Sequence, residues 1–156
     1  MLEESRNAVV SGKWTENSAG GCHLYDKAFE QKPDRFTWSQ NPKFLLKLNT
    51  THPVPVKITL QRPEKAWKKQ IGMNLVGCMI GFYVYPANVV EPNKDTILNQ
   101  EGKKFVPWNE ISEEVNLDGY PEGYFIMCTT YEPQKLGPFI LSVSTTVDFT
   151  LVSMQE

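Results

Sequence analysis

The sequence lacks the marks of secreted and membrane-spanning proteins. Its three cysteines, Cys22, Cys78 and Cys128, are an odd number without close spacing, whereas a small disulfide-rich domain carries an even set. No apolar run reaches the roughly 18 residues that a bilayer-spanning helix needs, and the polar, acidic N-terminus is no secretory signal. We therefore expect free thiols in a reducing, cytoplasmic location, and a start of this kind predicts a fragment of a longer protein.

A strong net charge is also missing. The chain has 16 lysines and arginines against 18 aspartates and glutamates, a balance too even to imply nucleic acid as a partner. Hydrophobic residues make up 40% and charged residues 22%, which is ordinary for a globular protein and excludes wholesale disorder. A chain of 156 residues fits one domain. We expect a single module over residues 1–156, with residues 1–7 as a linker or a poorly ordered segment.

Groups that could support catalysis are scarce and scattered. Cys22 is followed directly by His23, and His52 is the other histidine. A cysteine nucleophile needs a base within hydrogen-bond reach, but adjacent residues of an extended chain point to opposite faces. A buried structural thiol is the simpler interpretation of Cys22. We predict no catalytic site in this chain.

Metal-binding patterns are missing as well. The cysteines and histidines lack the C-x2–4-C and H-x3–5-H spacings of zinc sites, and no EF-hand loop is present. Other calcium sites need several converging carboxylates, whereas the aspartates stand isolated along the chain. They are Asp26, Asp34, Asp95, Asp118 and Asp148. We predict no metal site and no cofactor.

What the chain does contain is a β-strand pattern with a period of two. Phe44, Leu46 and Leu48 alternate with other residues, and the same alternation runs from Val54 to Leu60. Further strand-like runs cover residues 104–106, 111–117, 123–131 and 138–152, and a kink near 144–146 splits the last of them in two. Proline and glycine turns separate the runs. This pattern predicts an all-β antiparallel sandwich of about eight strands.

One run is apolar nearly throughout. The segment Leu75–Val84 predicts a central strand that is buried on both faces. Gly77 and Gly81 within it predict a bulge or a close backbone approach. A short helix is expected at Glu64–Lys69, although six residues are few for a helix.

Four segments in this order resemble one known module. They are Gly12–Trp14 followed by Ser18–Cys22, then Asn41–Leu48, Met79–Tyr85 and Gly123–Leu141. Together they are similar to the C2-like β-sandwich that follows the protease core of calpains, called domain III. The resemblance implies a C2-like fold and a non-catalytic regulatory or docking role inside an intracellular, calpain-like cysteine protease.

Two departures narrow the resemblance. The dense acidic loop of calcium-activated calpains has no counterpart here, where Glu113-Glu114 is the densest acidic pair, and we expect no EF-hand module after this domain. The chain is thus most similar to the distal C2-like domain of PalB-type calpains (calpain seven). That resemblance implies as partners the protease core, a neighbouring C2-like domain of the same chain and, through other parts of the parent, endosomal-sorting proteins. It also implies the nucleus as a second location.

Basic residues cluster around a tryptophan in the middle of the chain. We call this set the basic stretch: Lys57, Arg62, Lys65, Trp67, Lys68 and Lys69. A basic patch with an aromatic side chain suits anionic phospholipid or an acidic protein surface. Lysines also protect exposed strand edges from pairing, and scattered lysines are common on protein surfaces, so we favour a structural role for this stretch. The alternative function is therefore a phospholipid-binding, membrane-targeting module, with or without Ca²⁺.

Acidic residues cluster later in the chain. We call this set the acidic stretch: Glu110, Glu113, Glu114, Asp118 and Glu122. A domain with a basic and an acidic pole can be oriented against a neighbouring domain. Single surface ion pairs add little affinity, so orientation is the benefit that we expect. The acidic stretch is the predicted docking face.

Overall fold

A computed structural model describes residues 6–15, 41–63, 67, 79–88, 98, 110–130 and 136–154. Within them the chain forms eight β-strands. The strands are β1 (Arg6–Trp14), β2 (Lys43–Leu48), β3 (Val54–Gln61), β4 (Ile80–Pro86), β5 (Glu110–Leu117), β6 (Tyr124–Thr130), β7 (Gly137–Thr145) and β8 (Phe149–Ser153). No helix in these ranges is long and apolar enough to cross a membrane.

The strands form two antiparallel sheets of four strands each. Sheet A has the order β1-β7-β3-β5, and sheet B has the order β4-β6-β2-β8. The predicted all-β antiparallel sandwich of about eight strands is confirmed. The predicted split of the last run is confirmed too, because β7 ends at Thr145 and β8 begins at Phe149.

The core lies between the two sheets, and the period of two explains which residues enter it. On β3, Val54, Val56, Ile58 and Leu60 are buried, while Pro55 and Lys57 are exposed. From sheet B the alternate side chains of β2 and β6 meet them in one hydrophobic cluster. Each such side chain contributes about 1.5–3 kcal/mol on burial, so the pattern fixes which face of each strand points inward.

The apolar strand β4 departs from its prediction. It begins at Ile80, and it is buried on both faces as expected, but it lies at the edge of sheet B and not at its centre. On its second face Tyr83 and Tyr85 are buried and pack with Met127 in a separate cluster. Gly81 pairs with Thr129 in an uninterrupted register, so no bulge occurs there.

Strand β1 was not predicted, and it begins inside the expected linker at residues 1–7. Small and polar residues in β1 weaken the alternation of apolar and polar side chains. Its register with β7 is nevertheless continuous from Arg6 to Trp14. Residues 1–5, Gly77 and the run 104–106 lie outside the described residues. Of the expected helix at Glu64–Lys69, only Trp67 is described, and its backbone is helical.

Candidate functional site

The basic stretch does not form one surface in the part of it that the structure describes. Lys57 is exposed on the outer face of sheet A. Arg62 is only 2% exposed and Trp67 is fully buried. Lys65, Lys68 and Lys69 lie outside the described residues. Arg62 and Trp67, which were candidate contacts for lipid or an acidic partner, are therefore interior side chains in this conformation.

Trp67 closes one end of the sandwich. Its indole Nε1–H donates a hydrogen bond of 2.8 Å to the carbonyl oxygen of Pro138, and its ring meets that of Trp14 edge-on at 5.6 Å. The guanidinium of Arg62 lies 5.5 Å from the centre of the indole ring, within the range of a cation–π contact. A tryptophan with lysines on either side in the sequence is typical of a surface contact. The burial of Trp67 and its hydrogen bond show that its role here is structural.

The signal that Trp67 is an interior residue comes from one distant glycine, Gly137. A Cβ added to Gly137 would lie 2.7 Å from the Trp67 ring, and Gly137 has a φ of 155°. Close approach of this kind requires glycine. At the same end, Trp14 donates a hydrogen bond of 2.9 Å from Nε1–H to the carbonyl oxygen of Cys128. That bond joins β1 of sheet A to β6 of sheet B.

The acidic stretch is divided between faces of the sandwich. Glu110 and Glu114 are exposed on the outer side of β5, whereas Glu113 is half-buried and pairs in register with the core residue Ile58. β5 is an edge strand of sheet A, and an inward-pointing charge discourages an edge from pairing with another chain. Glu122 is exposed in the turn before β6.

Asp118 contacts the first residue of β6, Tyr124. Its carboxylate accepts a hydrogen bond of 2.6 Å from the hydroxyl of Tyr124. Burial, and then this hydrogen bond, raise the pKa of Tyr124 to about 12. Asp118 therefore holds a neutral tyrosine in place, as well as adding charge to the surface.

The outer face of sheet A carries a groove of about 410 Å³ with a mixed polar and apolar lining. Its lining comes from β1, β3 and β7: Asn7, Ala8, Val9, Lys57, Thr59, Ser142, Val143 and Ser144. Beside the groove, the hydroxyls of Thr59 and Ser112 are hydrogen-bonded at 2.8 Å. Hydroxyls, one amide and one ammonium can hold a polar partner by hydrogen bonds, but these groups do not pair a nucleophile with a base.

The described thiol is inert. Cys128 is free and fully buried, and burial raises the pKa of its thiol. It therefore stays protonated, whereas the thiolate is the reactive form. Cys22, His23 and Cys78 lie outside the described residues, and His52 is exposed in the loop before β3. Within the described ranges, no group of three or more His, Cys, Asp or Glu side chains could hold a metal ion.

Comparisons with known proteins give consistent matches. The family model "calpain large subunit, domain III" matches residues 10–144. The calpain-type cysteine protease ADL1 of Oryza sativa subsp. japonica is 32% identical, over 87% of this chain and 6% of the relative. Human calpain-8 is 26% identical, over 86% of this chain and 20% of the relative.

One relative is named as a kinase and not as a calpain. Serine/threonine-protein kinase 4 homolog B of Dictyostelium discoideum is 29% identical, over 89% of this chain and 11% of the relative. The chain spans a fifth or less of the length of each of these three relatives.

Proposed function

The chain belongs to the calpain large subunit domain III family, and on that basis we propose that it is a non-catalytic docking and regulatory domain of a calpain-type cysteine protease. The observation that carries the proposal is the family match over residues 10–144, which spans nearly all of the sandwich. A relative named as a calpain-type cysteine protease matches 87% of the chain, and calpain-8 matches 86%. In this role the domain supports the protease core and contributes to the recognition of partners or substrates.

The kinase relative supports a role that is separable from proteolysis. A protein named as a serine/threonine kinase matches 89% of this chain. The same module thus resembles parts of proteins named as proteases and of a protein named as a kinase. A recognition or positioning role explains this better than a role in either active site. The buried, protonated thiol of Cys128 fits the same view, since a nucleophilic cysteine is a thiolate.

The partners and the location that we propose are those of a docking domain within a calpain-type protease. They are the protease core, a neighbouring C2-like domain of the same polypeptide and the cytoplasm, with the nucleus as a second location. The PalB-type assignment and the link to endosomal-sorting proteins stay predictions, since the three relatives above do not single out that type. Phospholipid binding also stays a prediction, and the burial of Arg62 and Trp67 favours a structural role for those two residues.

The proposal can be tested in trans. The purified chain is titrated into the separately purified protease core of the parent by isothermal calorimetry, and hydrolysis of a fluorogenic peptide is followed in the mixture. We expect saturable binding and a change in the turnover of the core, with no turnover by the chain alone. Turnover by the chain that Cys22→Ala abolishes would overturn the proposal, and so would the absence of both binding and an effect on the core.

A further inference from the structure

The outer face of sheet B carries an apolar row that crosses all four strands. The register places Tyr85 opposite Phe125, Phe125 opposite Leu45, and Leu45 opposite Val152. Residues directly opposite each other on antiparallel strands share one face of the sheet. These four residues are the apolar row.

One end of the apolar row is covered and the other is open. Tyr85 is only 1% exposed, and Phe125 packs against its cluster. Leu45 is half-buried, whereas Val152 is 52% exposed. Met154, which follows β8 and bonds to the backbone of Lys43, is 51% exposed. Large apolar side chains that continue a buried cluster onto the surface are typical of a contact site.

Two lysines flank the open end. Lys43 and Lys47 lie two residues on either side of Leu45 on β2, so all three side chains project from the same face. Lys43 is half-buried, and this burial lowers the pKa of its ammonium group. Within the described part of the chain no ion pair is formed by Lys43 or Lys47.

We infer that this face binds an extended, acidic and apolar segment of a partner protein. An apolar side chain of the partner would lie on Leu45 and Val152, and carboxylates two residues to either side would reach Lys43 and Lys47. The spacing suits an extended segment, because alternate residues of a strand project from one face about 6.6 Å apart. A carboxylate next to Lys43 would also compensate the burial of its charge.

A lipid surface fits this face less well. Membrane-binding domains insert protruding apolar side chains, whereas Leu45 is half-buried in a sheet between two strands that pair with it. A half-buried ammonium is better matched by one fixed carboxylate than by mobile headgroups. The inference rests on the docking function proposed above and assigns it a surface and a partner chemistry.

The test uses the full 156-residue chain and two synthetic peptides. One carries leucine between two glutamates with single glycine spacers, and the other has lysines in place of the glutamates. Amide chemical shifts are followed during titration, and folding of each variant is checked by circular dichroism. We expect the acidic peptide to bind through β2 and β8, and K43E with K47E to lower its affinity about tenfold or more. The same double variant should gain binding of the basic peptide.

Val152→Asp should abolish binding of the acidic peptide, while Val9→Asp, at a more exposed valine on sheet A, should leave it unchanged. Equal binding of both peptides to the wild-type chain would overturn the inference, as would no binding. Binding to phosphatidylserine vesicles without a peptide preference would overturn it in favour of a membrane. If the chain still binds the protease core in trans while the peptides fail, the docking function stands and only this surface assignment falls.

Discussion

Lys57 and Glu114 lie directly opposite each other on β3 and β5, with both side chains exposed on the outer face of sheet A. One belongs to the basic stretch and the other to the acidic stretch. At this pair the basic and the acidic stretch therefore lie side by side on the outer face of sheet A. A partner that approaches this pair meets both signs of charge, which favours orientation over net attraction.

Reversing one of these charges should destabilise the domain, and exchanging both should restore it. Lys57→Glu places two carboxylates opposite each other, and like charges in such a pair cost about 0.2–1 kcal/mol. Glu114→Lys should have a similar effect, and the double exchange should recover most of the loss. Urea unfolding of the four proteins measures the coupling.

Lys47→Glu is the matched control, because the residue opposite it, Thr150, is uncharged. It should change the free energy of unfolding by less than Lys57→Glu does. Additive effects of Lys57→Glu and Glu114→Lys would show that the two charges do not interact.

Truncating Trp67 should unfold much of the domain. Trp67→Ala removes a fully buried indole, its contact with Trp14 and the hydrogen bond to Pro138. Tryptophan-to-alanine changes in cores cost about 3–5 kcal/mol, so the thermal midpoint should fall by many degrees. Lys57→Ala, an exposed member of the same basic stretch, should be nearly neutral. Equal stability of the two variants would place Trp67 on the surface.

Losing one hydrogen bond of Trp14 should weaken the link between the sheets. Trp14→Phe keeps an aromatic ring near Phe139 but leaves the buried carbonyl of Cys128 without its indole donor. An unsatisfied buried acceptor costs about 1–3 kcal/mol. Guanidinium unfolding should show that loss, and amide exchange along β6 should accelerate. Unchanged exchange would mean that the sheets are held together without this bond.

High pH should remove the contribution of Tyr124 to the free energy of unfolding. Its pKa is raised to about 12 in the folded state, against about 10 for an unfolded tyrosine. The folded state therefore holds the phenolic proton more tightly, and this stabilisation is complete below pH 10 and is lost as the pH rises towards 12. The full effect of this shift of about two units is roughly 3 kcal/mol.

Tyr124→Phe isolates this effect, since Tyr85 and Lys43 titrate in both proteins. The advantage of wild type over variant in urea unfolding should shrink between pH 9.5 and 11.5, a range set by the ordinary and raised values of about 10 and 12. An advantage that stays constant over that range would show that Tyr124 does not titrate differently on folding.

The strands could be predicted from the sequence because burial on one face imposes its own period. Phe44, Leu46 and Leu48 enter the core as their alternation requires. The alternation of residues did not predict features that depend on contacts between distant parts of the chain. Trp67 is buried because Gly137 and Pro138, far along the chain, receive its ring and its N–H. β4 is buried on both faces although it lies at an edge of sheet B, and Tyr83 and Tyr85 pack with Met127 on its outer face.

The candidate site was less predictable for a related reason. Clusters in sequence are not clusters in space, since a strand alternates its residues between two faces. Glu113 and Glu114 are neighbours in the chain, yet one points inward and the other outward. The pair of Lys57 and Glu114, and the row from Tyr85 to Val152, depend on strand order and register. Neither can be read from a single sequence.

The most direct test of the docking role is proteolysis by the parent protease with and without residues 1–156. Casein cleavage by the two purified forms is compared at equal concentrations of active core, determined by labelling of the catalytic cysteine. The account predicts that removing the domain lowers the rate or changes the cleavage pattern, and that adding the domain in trans partly reverses the change. Identical rates and fragments from the two forms would contradict it.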